Sequence, residues 1–308
     1  MALFDRALVR VLPAVPKALV QRLSQRYIAG AECSDATRVV RELNAAGKTA
    51  TIDVLGEEIS NPDESRAYTQ EYEDVLAAVE RKGLASTVSV KLTALGLKLG
   101  YELCRENLME VVCDAKERSN FVTIDMEDSS TTDDTLSLYR ELREAGHENI
   151  GIVLQASLRR TLADVRAVAD LRPNVRLCKG IYVEPGDIAF QEYDEVRANF
   201  VGVLEELLSA GCYVGVATHD EWLVKEGRRL VEERGLGADE YEFQMLLGVR
   251  SERGDELVRE GRRLRIYVPF GRQWYAYSLR RLQENPKIAG YIAADTLGRL
   301  RGLRNGQV

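Results

Sequence analysis

FVTIDMEDSSTTDDTLSLYRELREAGHENIGIVLQAS, residues 121–157, holds two short apolar runs, FVTIDMED (121–128) and NIGIVLQAS (149–157). Between them, TLSLYRELREAG has apolar residues at helical spacing and ends in Gly146. Strand, helix and strand in that order predict a βαβ unit with parallel strands. The pattern recurs along the chain. TATIDVLG (49–56), STVSVKLTA (86–94), NVRLCKGIY (174–182), YVGVATHD (213–220), YEFQMLLGV (241–249) and LRIYVPFG (264–271) are further strand candidates, separated by helical segments such as VRANFVGVLEELLSAG. Eight strands alternating with helices is the count of a (β/α)8 TIM barrel, a fold of about 250 residues. A doubly wound sheet is the alternative; it usually carries a glycine-rich phosphate turn after an early strand, and GxGxxG is absent.

The strand candidates share a phase. One parity is apolar: Val88 and Val90, Val122 and Ile124, Ile152 and Leu154, Val175 and Leu177, Val214 and Val216, Ile266 and Val268. The other carries Ser89 and Lys91, Thr123 and Asp125, Gln155, Arg176 and Cys178, His219, Gln244, Arg265 and Tyr267. In a barrel one parity meets the surrounding helices and the other faces the interior. Lys91, Asp125, Gln155, Arg176, His219 and Tyr267 therefore converge on the C-terminal mouth, where barrel enzymes hold their active sites. Taken singly, Asp125 is equally a turn cap, Lys91 half of a charge pair and His219 a satisfied core histidine. Six in phase predict a site.

Composition narrows the classes. The 308 residues are 45% hydrophobic and 30% charged, as in ordinary soluble globular proteins. A net charge of −7 without a long basic block argues against nucleic-acid binding. Five cysteines without CxxC spacing fit reduced intracellular thiols, and two histidines leave little for a His-based metal site. The apolar residues near the start are interrupted by Arg6, Arg10, Lys17 and Arg22, so neither a signal h-region nor a spanning segment forms. Residues 1–48 are expected to be amphipathic helical structure packed on a barrel domain of residues 49–308.

At the other end, YVPFGRQWYAYSLRRLQEN (267–285) predicts a strand end, a turn and a helix with Tyr277, Arg280, Arg281 and Glu284 on one side. That side is either a solvated face with an Arg280–Glu284 pair or a carboxylate clamp of adjacent guanidiniums. Lys91, Arg280 and Arg281 suit a substrate carboxylate, and Asp125 is placed to orient Arg176 or to attract an ammonium. No Ser-His-Asp order, HExxH or reactive-cysteine signature is present. A Schiff-base lyase using Lys91 and a non-catalytic barrel that binds an anionic metabolite remain open alternatives.

SVKLTAL around Lys91, TIDMED around Asp125, RLCKGIYVEP from Arg176, ATHD, EFQMLLG, RIYVPFG and YSLRRLQENP together resemble the proline dehydrogenase family, most closely its short, single-function bacterial form. The resemblance runs from about the first strand to Asn285. It implies a distorted (β/α)8 barrel with the last helix over the mouth, noncovalent FAD, and oxidation of L-proline to Δ1-pyrroline-5-carboxylate. Asp125 and Arg176 are then the catalytic residues. Lys91, Arg280 and Arg281 bind the proline carboxylate, Tyr267 packs on the ring, Leu246 lines the apolar wall, and Glu284 holds the cations. Met126, Gln155, Arg176, Lys179, Gly180, Ile181, Thr218 and His219 contact the flavin.

The same resemblance implies a membrane quinone as electron acceptor and a cytoplasmic protein with peripheral membrane contact. It also implies a separate pyrroline-5-carboxylate dehydrogenase, since no aldehyde dehydrogenase domain follows. Another flavin-dependent barrel oxidoreductase is the nearest competing expectation. The chain departs from the larger bifunctional relatives at KGIYVEP, where Ile181 and Val183 stand in place of an aromatic.

Overall fold

Val88, Val90, Ile124, Ile152, Leu177, Val214, Val216 and Val268 are all fully or almost fully buried between strands and helices, as the apolar parity requires. The alternate residues line the inside of a closed ring. In the computed structural model, which describes residues 26–56, 59–275 and 278, the strands are β1 (Thr49–Val54), β2 (Ser86–Val90), β3 (Val122–Ile124), β4 (Ile150–Gln155), β5 (Asn174–Cys178), β6 (Tyr213–Ala217), β7 (Tyr241–Leu246) and β8 (Leu264–Phe270). All neighbours are parallel, in chain order, and β8 pairs with β1 to close the barrel.

The described helices are α1 (Cys33–Ala45), α2 (Pro62–Arg81), α3 (Tyr101–Glu117), α4 (Thr132–Glu144), α5 (Thr161–Val168), α6 (Tyr193–Ser209), α7 (Glu221–Glu233) and α8 (Ser251–Arg259). Local chemistry sets their ends. Asn61 caps α2 by accepting from the Glu64 N–H, Pro62 opens it, Asp63 and Glu64 sit in its first turn and Arg81 in its last. Its buried stripe runs Ser65, Thr69, Tyr72, Leu76 and Val79. Asp220 caps α7 through the Trp222 N–H, directly after β6. Helix α1 packs against β1 and β8.

Register carries the phase around the ring. Asp53 pairs with Ser89, Ser89 with Thr123, Val153 with Arg176, Arg176 with Gly215, Gly215 with Glu242, Gln244 with Arg265, and Leu246 with Tyr267. Residues that pair across parallel strands share a face, so these side chains point inward together. Gly215 gives this interior its room: a Cβ there would lie 2.3 Å from the Gln244 amide nitrogen.

Two strand candidates are shorter than their apolar runs suggest. The chain leaves β2 at Lys91, whose carbonyl accepts from the Leu95 N–H in a turn (3.1 Å). It leaves β3 after Ile124, apart from an Asp125 N–H bond to the Val90 carbonyl (2.9 Å), and then enters the turn capped by Asp128. Lys91 and Asp125 thus stand at strand ends. The helix expected over the mouth, with Arg280, Arg281 and Glu284, lies outside the described residues.

Candidate active site

Four of the six in-phase residues meet at the barrel mouth. Lys91 Nζ donates to Asp53 Oδ1 (2.6 Å), Asp125 Oδ2 (3.3 Å) and the Tyr267 hydroxyl (3.3 Å). Those three bonds use all the donors an ammonium has. Arg176 Nη1 donates to Asp125 Oδ1 at 2.6 Å, and the Tyr267 hydroxyl donates to Oδ2 at 2.7 Å. Ser89 donates to Asp125 Oδ1 (2.6 Å) and accepts from Arg176 Nη1 (3.1 Å). The Arg176 guanidinium lies over the Tyr267 ring, 5.1 Å from its centroid.

The cluster is charge-balanced, with two carboxylates against two cations, and it is almost dry. Asp53 is fully buried, and the Lys91 and Arg176 side chains are each 8% exposed. Burial works to raise the Asp125 carboxyl, but Lys91 and Arg176 beside it, with Ser89 and Tyr267 donating, hold it below the usual carboxylate range. Burial pushes Asp53 up to about 6, partly offset by Lys91. Burial also disfavours the Lys91 ammonium, yet Asp53, Tyr267 and Asp125 raise it well above the ordinary lysine value. Near neutral pH Lys91 is charged, and it is committed to its partners.

Gln155 and His219 face the interior but do not join this cluster. Gln155 donates its amide N–H to the Glu127 carbonyl (2.8 Å). His219 Nε2 accepts from the Leu246 N–H (2.9 Å), which assigns the ring proton to Nδ1. Leu246 is half-buried beside Tyr267. Met126 and Thr218 are buried, Thr218 accepting from the Asp220 N–H (3.1 Å). Lys179 stands 3.7 Å from Asp220 and 4.8 Å from the Tyr193 ring centroid. Gly180 has φ +102°, and a Cβ there would meet Ser157 Oγ at 2.1 Å. Ile181 is exposed. Arg265 has the inward phase but stands near the start of β8, bonded to the Ala50 carbonyl and Thr87, away from the mouth. Burial pushes the Cys178 thiol up to about 11, which leaves no reactive thiolate there.

Sequence reasoning missed several members. Asp53 shares the parity of Thr51 within TATIDVLG, so the phase argument was sufficient to find it. Glu242 stands in phase with Gln244 and accepts from both Gln244 and Arg265 (2.7 and 2.6 Å). Asp220 takes two bonds from Arg197 (2.9 and 2.8 Å) and one from the Tyr193 hydroxyl (2.5 Å), with Arg197 over the Tyr193 ring. No periodicity marks Asp220 as more than a helix cap.

A family model described as proline dehydrogenase matches residues 36–293. The chain belongs to the proline dehydrogenase family. It is 39% identical over 289 residues to proline dehydrogenase 1 of Bacillus subtilis strain 168, covering 94% of this chain and 95% of that one. It is 37% identical over 279 residues to the proline dehydrogenase of Deinococcus radiodurans, covering 89% and 90%. Among solved structures it is similar to proline utilization A (PutA) from Bdellovibrio bacteriovorus inactivated by N-propargylglycine, with a TM-score of 0.82 and 24% identity over 90% of this chain. A PutA variant from Bradyrhizobium japonicum follows, with a TM-score of 0.72 and 22% identity over 85% of this chain. The chain spans 36% and 30% of those longer proteins, and the likeness establishes the barrel. The proline dehydrogenase activity expected from the sequence agrees with the family model and the relatives, and the barrel agrees with the solved structures.

Proposed function

We propose that this proline dehydrogenase removes two hydrogens from L-proline at C5 and nitrogen, giving Δ1-pyrroline-5-carboxylate, with FAD held across the ends of β4, β5 and β6. The observation that carries the proposal is the charge-balanced, buried Asp53–Lys91–Asp125–Arg176 cluster beside the Tyr267 ring. It offers a rigid polar floor with an aromatic wall where a small cyclic amino acid fits.

The residues fit FAD. With its N–H bound to the Glu127 carbonyl, Gln155 has Oε1 available to accept from the imide edge of a flavin. The backbone at Gly180 has no side chain to obstruct close approach, in a conformation that favours glycine. Arg176 supplies positive charge nearby, and Lys179, His219 and Thr218 would line the same rim. Met126 and Ile181 would give apolar contact. Bound FAD would supply the hydride acceptor.

The protein's own part is binding and orientation. Because Asp53 and Asp125 already balance Lys91 and Arg176, a substrate carboxylate adds an uncompensated negative charge. Arg280 and Arg281 would neutralise it, with Glu284 setting their positions. Lys91 joins them by exchanging one of its two 3.3 Å contacts for the substrate. Tyr267 and Leu246 would enclose the ring and exclude water. Held in this way, proline would present C5 to bound FAD, which would accept the hydride, while the amine proton would pass to solvent and a C5=N double bond would remain.

The Schiff-base alternative is disfavoured by the same geometry. An attacking lysine must be neutral, and Lys91 is held as an ammonium by Asp53 and Asp125. Electrons would pass to a membrane quinone, and a separate pyrroline-5-carboxylate dehydrogenase would consume the product. A cytoplasmic protein touching the membrane peripherally suits that acceptor; among the described residues no helix is long and apolar enough to cross a membrane. Of the N-terminal helical segment expected over residues 1–48, residues 1–25 lie outside the described residues, and α1 packs on β1 and β8. Incubation with proline and an artificial electron acceptor should yield a product lighter by two hydrogens, detected by mass spectrometry. Unchanged proline with the acceptor still oxidised would refute the proposal.

A further inference from the structure

Arg176 is held from behind as well as from the front. Its Nε donates to Gln244 Oε1 at 2.7 Å, and Gln244 Nε2 donates to Glu242 Oε1 at 2.7 Å. Glu242 Oε1 also accepts from Arg265 Nε at 2.6 Å, and Arg265 is pinned to the Ala50 carbonyl (2.8 Å) and the Thr87 hydroxyl (3.2 Å). The chain of bonds thus runs up the barrel interior from β1 and β2 through β8 and β7 to β5, and ends on Asp125. Gln244 and Glu242 are both buried.

The donors and acceptors allow one arrangement. A guanidinium only donates, so Gln244 must present its oxygen to Arg176. Its NH2 then needs an acceptor in a dry interior, and Glu242 is that acceptor. Rotating the Gln244 amide by half a turn would set donor against donor at Arg176 and acceptor against carboxylate at Glu242. Gly215 opens the space in which this amide lies, since any Cβ there would stand 2.3 Å from Gln244 Nε2 and 2.8 Å from its Cδ. With Nε and Nη1 engaged by Gln244, Asp125 and Ser89, Nη2 is the guanidinium nitrogen with no hydrogen-bond partner among the described residues.

We propose that Gln244 and Glu242 are positioning residues for the oxidation of proline, fixing the plane of the Arg176 guanidinium so that Nη2 stays available at the mouth. This rests on the assignment of Arg176 to the flavin and substrate site. Neither residue need touch a reactant, since each acts through Arg176.

The test compares Gln244→Leu, Gln244→Glu and the exchange Glu242→Gln with Gln244→Glu, all as FAD-loaded protein. Gln244→Leu strands the Arg176 Nε. It should slow single-turnover flavin reduction by proline by at least about tenfold, as expected for a lost bond to a charged group. The apparent Kd for proline should change by less than about threefold, because the proposed carboxylate contacts are untouched. The flavin midpoint potential should fall as the guanidinium loses its fixed place. Gln244→Glu sets two carboxylates together and should be equally impaired. The exchange restores every donor–acceptor match, with the carboxylate now on residue 244 and the amide on 242. It should recover reduction to within about threefold of wild type.

A Gln244→Leu protein with wild-type reduction rate and potential would overturn the proposal. So would an exchange variant no better than Gln244→Glu. Where Gln244→Leu fails to fold, the comparison of Gln244→Glu with the exchange decides alone. If wild-type flavin is not reduced by proline, the assigned function fails instead, and the midpoint potentials still report whether residues 242 and 244 govern Arg176.

Discussion

The Tyr267 hydroxyl donates to Asp125 Oδ2 at 2.7 Å, so this aromatic side chain is tied to the carboxylate that joins both buried cations. A hydrogen bond to a charged group is worth about 1.5–3 kcal/mol. Tyr267→Phe should therefore lower kcat/KM for proline by about 10- to 100-fold while FAD stays bound. Tyr267→Ser should weaken proline binding and also admit hydroxyproline, because it opens the wall. Steady-state kinetics on both substrates reads this, and unchanged selectivity in Tyr267→Ser would remove the residue from the ring position.

Asp125 is the shared partner of Lys91 and Arg176 in a nearly dry site. Asp125→Ala should cost about 3–5 kcal/mol of stability, the range for leaving a buried charge uncompensated. Urea denaturation of the variant, with circular dichroism as the signal, checks this. A midpoint matching wild type would mean that the two cations find other partners.

Asp53 carries the clearest pH signature. Lys91 at the end of β2, Asp125 at the end of β3, Tyr267 on β8, and Tyr68 and Tyr72 on α2 are titratable groups facing it. Its folded value of about 6 lies above the ordinary 3.8, so the folded state binds the proton more tightly. Stability from this group therefore falls as pH rises from 3.8 to about 6 and is level above that. Below about 6 the neutral acid no longer balances Lys91, so flavin reduction by proline should decline with an apparent pKa near that value. The limb should vanish in Asp53→Asn. A limb that persists in the variant assigns the titration elsewhere.

Gly180 tests the flavin side separately. Its φ of +102° and the 2.1 Å approach of any Cβ to Ser157 Oγ make Gly180→Ala strained and obstructive. Backbone strain of this kind costs about 1–3 kcal/mol. The variant should bind FAD more weakly by about 5- to 100-fold, followed by quenching of free flavin fluorescence on binding to apoprotein. Wild-type FAD affinity would place the cofactor away from this backbone.

Arg280 tests the substrate clamp. Arg280→Met should raise the apparent KM for proline by about 10- to 100-fold, matching one lost charge-assisted contact, with FAD retained. Loss of flavin instead would make Arg280 structural.

The phase of the strands made much of this site legible. Period-two alternation requires Lys91, Asp125, Arg176 and Tyr267 to face inward together, and they are found within hydrogen-bond reach of one another. Phase does not say which neighbour an inward side chain chooses. Gln155 turns to the Glu127 carbonyl and His219 to the Leu246 N–H, so neither joins the cation cluster. Asp53 and Glu242 had the right parity, but their importance comes from Lys91 and Arg265, partners 38 and 23 residues away in sequence. Run length misled in β3, because the strand ends at Ile124 and Asp125, Met126 and Glu127 lead into the turn capped by Asp128. The clamp of Arg280, Arg281 and Glu284 rests on sequence pattern and family resemblance, outside the described residues.

The central claim is that proline itself delivers reducing equivalents to a flavin in this barrel. Anaerobic titration of the FAD-loaded protein with L-proline, followed by flavin absorbance, tests it most directly. Proline should bleach the flavin without a pyridine nucleotide, and Arg280→Met should require a higher proline concentration for the same bleaching. A flavin that stays oxidised in saturating proline, or is reduced only by a pyridine nucleotide, would contradict the claim.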